Sequence, residues 1–247
     1  MKNSSRPKII ATSVVGARHA QLGMHCQDYY KSVIGKNLVS VVSDGAGSAK
    51  HGKVGAKIVC ETLCNLLKDV KFCDAQKQIN KAIKLARERL IFHKLNKSKS
   101  EHELVNFAAT VVGVLYHKGK GVFFHIGDGA AIAFANDYNN FFVSRPENGA
   151  FSCETFFYTQ NDWAENLRLI YFSDVRTIFL MSDGVTSFSF NHDFREIEQG
   201  FITPIDTFLN NCTNKSKAIK ALTNTLNAPK AQKINTDDKT LVWIKVK

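Results

Sequence analysis

The sequence predicts an α+β fold in which two mostly antiparallel β-sheets pack as a central sandwich, flanked by pairs of helices in an αββα order of layers. Apolar, β-branched segments occur in runs, and the helical segments come as consecutive pairs. Strict alternation of strands and helices is typical of a doubly wound parallel sheet. The observed grouping favours antiparallel sheets covered by helices instead.

The first half of the chain combines strands with one pair of helices. Residues 9–15 and 38–43 are rich in β-branched residues and predict strands, the second of them fully buried. Apolar residues then recur at helical spacing over two consecutive segments. They are Ile58, Val59, Leu63, Leu66 and Leu67 in the first segment, and Ile79, Ala82, Ile83, Ala86 and Leu90 in the second.

The second half predicts a run of strands, an irregular segment and a second pair of helices. Strands are expected at residues 107–116, 122–126, 130–135 and 141–143, with a hairpin turn at 117–121. The segment at about 144–174 shows little periodicity and predicts an irregular flap or lid. A strand at 177–182, two helical patterns and a closing strand at 240–246 follow. No repeat or linker interrupts the pattern, so residues 1–247 are predicted to form a single domain.

Composition and charge narrow the classes of partner. The 33 Lys and Arg residues exceed the 22 Asp and Glu residues, which gives a net charge of +11 that favours anionic partners such as phosphoproteins or nucleic acid. The lysines are scattered over predicted helix faces, with no Arg-rich arm and no aromatic-basic ladder. A solvated basic surface is therefore favoured over nucleic-acid binding.

Location is predicted from the cysteines and from the apolar segments. The six cysteines form neither a CxxC pair nor a cluster at zinc spacing, so we expect free thiols in a reducing cytoplasm. No segment is long and apolar enough to predict a membrane span, and the first residues lack the apolar core of an export signal. The sequence predicts a cytoplasmic protein without membrane contact.

Aspartates stand at the ends of apolar runs in four places. The pairs are Asp44-Gly45, Asp128-Gly129 and Asp183-Gly184, together with Asp237-Asp238 just before the last strand. One such pair alone usually marks a plain turn, but four of them at one edge of a sheet make an oxygen-only site. Such a site suits Mg²⁺ or Mn²⁺. Two cations that share a bridging water lower its pKa and present hydroxide to a phosphate ester.

The order of these motifs resembles the motif series of the protein phosphatase 2C family, whose members are metal-dependent serine/threonine phosphatases. The matching segments are VVSDGAGS at 41–48, FAAT at 107–110, HIGDG at 125–129, LMSDGV at 180–185 and DDKT at 237–240. The variants at 26–28 and 44–49 look most like a divergent bacterial branch. The resemblance implies that a water or hydroxide bridging two Mg²⁺ or Mn²⁺ ions removes phosphate from phosphoserine and phosphothreonine. It also implies a phosphoprotein partner, namely a protein kinase or its target.

The resemblance implies catalytic roles for Asp28, Asp44 and Asp183. Asp44 bridges both metals and the Gly45 carbonyl binds the second, while Asp183 and Asp237 complete the ligands of the first. Asp237 fits better than Asp238 because the family motif is Asp-Asn-x-Thr, although this pair on its own is equally well read as a polar turn. Asp28 holds metal-bound water. Asp128 matches a ligand of a third, weaker metal, whose usual partner is replaced by Ser187, so a third site is doubtful.

Two departures from the family pattern affect the phosphate and the second metal. Gln27 stands where many members have Glu, and the lost charge should weaken the second metal. The phosphate-binding Arg of the family falls on Gly23. Arg18, His19 or His25 are candidates to supply positive charge instead, but a surface position is favoured for each.

Two histidines are candidate general acids. His125 lies within a predicted strand and is favoured as a packed, hydrogen-bonded residue. His51 follows the glycine-rich turn and stays a candidate close to the metals.

Two alternatives to a phosphatase remain open. A pseudophosphatase, which binds phosphoproteins without efficient chemistry, is motivated by Gln27 and the missing Arg. A two-metal nuclease or phosphodiesterase would suit the basic charge, but it requires the ordered motif series to be coincidental.

Overall fold

The computed structural model describes residues 6–147, 155–191 and 194–246, and in these ranges ten strands form two five-stranded sheets. In spatial order, the first sheet contains β1 (Lys8–Val14), β10 (Lys239–Lys245), β9 (Thr177–Met181), β6 (Ala130–Phe134) and β7 (Phe141–Ser144). The second contains β2 (Tyr29–Ile34), β3 (Leu38–Ser43), β4 (Val111–His117), β5 (Lys120–Ile126) and β8 (Arg168–Ser173). Every pairing between neighbouring strands is antiparallel.

Seven helices lie around the two sheets in the described ranges. They are α1 (Ala17–Gln21), α2 (Gly52–Leu67), α3 (Ala75–Ile91), α4 (Asp183–Ser189), α5 (Gln199–Asn211), α6 (Lys215–Leu226) and α7 (Pro229–Ile234). Short 3-10 helices occupy Phe72–Asp74 and Glu101–Phe107. In the described ranges, none of the helices has the length and apolar character that crossing a bilayer requires.

Three clusters of buried side chains hold the layers together. Val42, Val112, Leu180 and Val242 belong to the cluster between the two sheets. A second cluster joins α2 and α3 to the outer face of the second sheet, and a third joins α5 and α6 to the first sheet around Trp243. Each helix pair buries an apolar stripe against one sheet, which is the reason for pairs rather than single crossovers. The predicted αββα fold is confirmed.

Individual elements depart from the prediction at two strands. Residues 168–173 form β8, so the prediction of an irregular segment is wrong there. β2 was not predicted because all six of its residues are half-buried, which leaves no alternation to detect. Both strands lie at the edges of the second sheet, where one side of the strand lacks a neighbour.

The described part of the predicted flap is packed against the helices. Tyr158 is fully buried and its hydroxyl donates to the Gly55 carbonyl at 2.9 Å. The Arg87 guanidinium, on α3, donates to the carbonyls of Tyr158 at 3.0 Å and Gln160 at 2.7 Å. Residues 148–154 of the predicted segment, and with them Cys153, lie outside the described residues. The other five cysteines are free thiols, as predicted.

Candidate active site

The predicted aspartates meet at one cavity of about 370 Å³ at an end of the sandwich. Its lining includes all five predicted metal ligands, namely Asp44, Gly45, Asp128, Asp183 and Asp237. Each is placed by a strand end: Asp44 follows β3, Asp128 follows β5, Asp183 follows β9, and Asp237 precedes β10. The antiparallel sheets therefore bring both halves of the chain to the same place.

Glycines allow the backbone to pack closely behind two of these aspartates. A Cβ on Gly45 would lie 2.3 Å from the carbonyl carbon of Gly52, and a Cβ on Gly184 would lie 2.0 Å from the carbonyl oxygen of Asp238. Both distances are well below van der Waals contact, so a side chain at either position would push the backbone apart. In these Asp-Gly pairs, the glycine allows the backbone both to turn and to pack closely against a neighbouring segment.

Thr110, in the second motif, fixes the backbone of Asp44. The Asp44 N–H donates to the Thr110 hydroxyl at 3.0 Å, and the Thr110 N–H donates to the Asp44 carbonyl at 2.9 Å. The Ser43 hydroxyl adds a bond to the Thr110 carbonyl at 2.5 Å. The first two motifs are therefore one structural unit, although they stand far apart in the sequence.

Asp28 lies behind Asp44 and outside the cavity lining. It is 1% exposed, and its carboxyl is close enough to that of Asp44 to raise the pKa of Asp44. The Ser182 hydroxyl donates to Asp28 Oδ2 at 2.7 Å and accepts the Thr240 N–H at 2.9 Å. This chain joins the two sheets at the cavity.

Burial and mutual repulsion make these carboxyls hard to ionise. Burial is the main cause that raises the pKa values of Asp28, Asp44, Asp128 and Asp183, and neighbouring carboxylates raise them further. A carboxyl whose pKa is higher in the folded chain stabilises the fold fully below its unfolded-state pKa. That contribution is lost as the pH rises through the folded value. At neutral pH the ionised cluster therefore opposes folding.

The donor set fits hard divalent cations. One oxygen each of Asp28, Asp128 and Asp183 is buried with no hydrogen-bond partner among the described residues. Within those residues, no group of three His, Cys, Asp or Glu side chains has the geometry of a preformed metal site. The unpaired oxygens and the raised pKa values are nevertheless what a cation would satisfy, and an oxygen-only set suits Mg²⁺ or Mn²⁺.

The adjacent aspartates before β10 differ in their surroundings. Asp238 is 3% exposed, and its carboxylate accepts from the Gly16 N–H at 2.7 Å, from His19 Nδ1 at 2.9 Å and from the Gln27 N–H. Both residues line the cavity, and Asp237 is half-buried. The Asp238 carboxylate is already engaged by three donors, and the choice of Asp237 as the cation ligand stays a prediction.

The structure shows where the residues that depart from the family pattern lie. Gly23 is exposed at a φ of +65°, with nothing near its Cβ position. Arg18 is exposed, as expected of a surface residue, and His19 is half-buried; both line the cavity. His25 is exposed and is not part of the lining. The Gln27 side chain donates to the His25 carbonyl at 2.7 Å and accepts the Lys53 N–H at 3.2 Å, so it is engaged outside the cavity.

Three further predictions concern residues that lie outside the cavity lining. His125 is fully buried, with Nδ1 at 2.8 Å from the Ser144 hydroxyl and 3.1 Å from the Arg168 guanidinium, as expected of a packed residue. Burial and Arg168 lower its pKa. His51 packs on the Phe107 ring at 5.3 Å between centroids. Ser187 accepts a hydrogen bond from Asn235 and lines a different cavity.

Sequence reasoning missed three residues that support the aspartates. Thr155 donates to Asp128 Oδ2 at 2.6 Å, and Ser182 binds Asp28 as described. Lys239 is fully buried, and its ammonium donates to the Asp237 carbonyl at 2.8 Å. Burial lowers its pKa against the opposing effect of the nearby acids. For Ser182 and Lys239 the available signal was a polar residue beside an aspartate at a strand end.

Comparisons with known proteins identify the family and proteins of similar fold. A family model described as protein phosphatase 2C matches residues 15–227, whereas no curated protein matches significantly. Serine/threonine phosphatase Stp1 from Staphylococcus aureus is 14% identical, with 100% of this chain and 98% of that chain covered and a TM-score of 0.69.

Two further structures are similar to the chain. The serine/threonine phosphatase of S. agalactiae is 14% identical, with 98% and 100% covered and a TM-score of 0.67. The catalytic domain of serine/threonine protein phosphatase PstP, in complex with two manganese ions, is 15% identical, with 97% of each chain covered and a TM-score of 0.64. These identities show a shared fold, while the family match covers most of the sequence. The chain belongs to the protein phosphatase 2C family of metal-dependent protein serine/threonine phosphatases.

Proposed function

We propose that the chain hydrolyses phosphoserine and phosphothreonine in cytoplasmic phosphoproteins, such as a protein kinase or its target, with two Mg²⁺ or Mn²⁺ ions. The observation that supports this most directly is the cavity at which Asp44, Asp128, Asp183 and Asp237 converge. Burial raises the pKa values of the Asp44, Asp128 and Asp183 carboxyls, and one oxygen each of Asp128 and Asp183 lacks a partner among the described residues. Such a cluster is costly unless cations bind there.

Each residue has a distinct part in this proposal. Asp44 would serve both cations, with the Gly45 carbonyl as a further ligand of the second and with Asp183 and Asp237 as further ligands of the first. Bound cations supply Lewis-acid polarisation of the phosphoryl oxygens and lower the pKa of the attacking water. Asp28, which lies behind Asp44, would position the Asp44 carboxyl, and its unpaired Oδ1 would be available to accept a hydrogen bond from water held at the cations.

Phosphate release from a phosphothreonine peptide tests the proposal. Turnover should require Mn²⁺ and stop with EDTA. Loss of a residue that only supports a metal ligand typically lowers activity by roughly 10–100-fold, and Asp183→Asn should lower turnover by more than this. Asp74→Asn is the matched control, because Asp74 is exposed and its side chain makes no capping hydrogen bond. This variant should keep full activity.

The outcomes separate the phosphatase from its alternatives. A folded wild-type chain that binds Mn²⁺ without turnover would favour the phosphoprotein-binding pseudophosphatase. Cleavage of DNA or cyclic nucleotides without action on the peptide would favour the nuclease or phosphodiesterase. Equal activity of Asp183→Asn and wild type would refute the proposed ligand set.

A further inference from the structure

The short helix α1, which lies against the turn before β10, forms a basic wall of the cavity. The Arg18 N–H donates to the Thr236 carbonyl at 3.1 Å, which holds α1 against this turn. Arg18 and His19 both line the cavity that the aspartates share. Among the described residues of that lining, they alone carry side chains that can be cationic. The aspartates and this wall therefore present opposite charges to the same space.

His19 is oriented by a carboxylate that is already fixed. Asp238 is 3% exposed, and the Gly16 N–H binds its Oδ1 at 2.7 Å while His19 Nδ1 lies 2.9 Å from its Oδ2. Since a carboxylate only accepts, the proton of this bond belongs to Nδ1. The opposite ring nitrogen, Nε2, lies 3.7 Å from the point where a Cβ on Gly47 would stand. Gly47 itself lines the cavity, so Nε2 is at the cavity rather than at the packed side of α1.

We propose that His19, oriented by Asp238, donates its Nε2–H to an oxygen of the substrate phosphoryl group. The inference rests on the proposed function, because it gives His19 a place at the same substrate. In the imidazolium form both ring nitrogens donate, one to Asp238 and one to the phosphoryl oxygen. A charge-assisted bond of this kind suits a dianionic phosphate ester. His19 is then a phosphate-binding residue, and Asp238 is its positioning residue.

The test compares His19→Gln with the matched control His25→Gln, since His25 is exposed and is not part of the cavity lining. Isothermal calorimetry measures binding of inorganic phosphate to the full chain with Mg²⁺, and steady-state kinetics use the phosphothreonine peptide. His19→Gln should weaken phosphate binding and raise KM by roughly 10–100-fold with little change in kcat, as expected for one charge-assisted bond. His25→Gln should match wild type.

Two more variants separate phosphate binding from a purely structural role. His19→Lys, which restores a cation, should recover part of the phosphate affinity. The double variant His19→Gln/Asp238→Asn should bind phosphate no more weakly than His19→Gln alone, because Asp238 acts through His19. Thermal unfolding of each variant confirms that it is folded.

The outcomes also distinguish this inference from the proposed function. Equal phosphate binding by wild type and His19→Gln, an equal loss in His25→Gln, or no phosphate binding by the Mg²⁺-loaded wild type would each overturn it. His19-dependent phosphate binding without turnover would support the inference while refuting the phosphatase activity. Turnover with an unchanged KM in His19→Gln would leave the phosphatase standing and refute the inference.

Discussion

Replacing Ser182 with alanine should destabilise the protein more than its small size suggests. The Ser182 hydroxyl donates to Asp28 Oδ2 at 2.7 Å and accepts the Thr240 N–H at 2.9 Å, and all three residues are buried. A hydrogen bond to a charged group contributes about 1.5–3 kcal/mol, and a buried N–H left unpaired costs about 1–3 kcal/mol. We expect Ser182→Ala to lose about 2–4 kcal/mol in the free energy of unfolding, because the lost bond and the unpaired N–H belong to one network and do not add fully.

Urea unfolding at pH 7.5 without added cations measures this loss. For a chain of this length, the expected change lowers Tm by roughly 5–15 °C. The matched control is Ser189→Ala, since Ser189 is equally buried but its hydroxyl only donates to the Val185 carbonyl of its own helix at 3.1 Å. That substitution should cost less than about 1 kcal/mol. Values for the two variants within about 0.5 kcal/mol of each other would refute the role given to the Ser182 chain.

Three other predictions test the cavity and its surroundings. The gain in Tm on adding Mn²⁺ should be larger at pH 7.5 than at pH 5.5, because the raised pKa values leave the aspartates more protonated in acid; equal gains at both pH values would contradict this. Gly184→Ala should cost about 1–3 kcal/mol or more in urea unfolding, because its Cβ would meet the Asp238 carbonyl. Gly200→Ala, where nothing lies within 4 Å, should be neutral or stabilising. Arg87→Ala should lose about 1–3 kcal/mol by releasing two carbonyls of the packed segment, whereas Arg89→Ala, which loses one bond to the Thr62 hydroxyl, should lose less.

The sequence predicted those parts of the fold whose residues carry a local pattern. Residues 38–43, 122–126 and 177–182 are buried on both faces, and continuous apolar runs mark such strands clearly. β8 escaped detection because its residues are mostly half-buried or exposed at the edge of a sheet. Its pairing with β5 depends on a partner about 45 residues earlier in the chain, which no local window contains.

In the candidate site too, the residues that carry a local signal could be predicted, and a residue that depends on a distant partner could not. The Asp-Gly pairs were recognisable because the residue that binds and the residue that allows the turn are neighbours in sequence. The place of His19 was not recognisable, since it depends on Asp238, 219 positions away. Nothing in the segment around His19 shows that α1 lies against the turn before β10, and an exposed polar helix is the ordinary expectation for such a stretch.

The neighbouring residues Asp237 and Asp238 make different contacts. Both residues are aspartates on the same turn, so their difference comes entirely from what each side chain meets. Asp238 turns inward to the Gly16 and Gln27 N–H groups and to His19, which joins the start of the chain to the last strand. Asp237, whose own N–H is bound by the Asn235 side chain at 2.8 Å, is left half-buried at the cavity. An asparagine at 238 would offer one oxygen in place of two, so its amide NH₂ would face either the Gly16 N–H or the Gln27 N–H and His19. In the proposal above, both oxygens of the Asp238 carboxylate are therefore needed, one to hold the Gly16 N–H near the start of the chain and the other to orient His19.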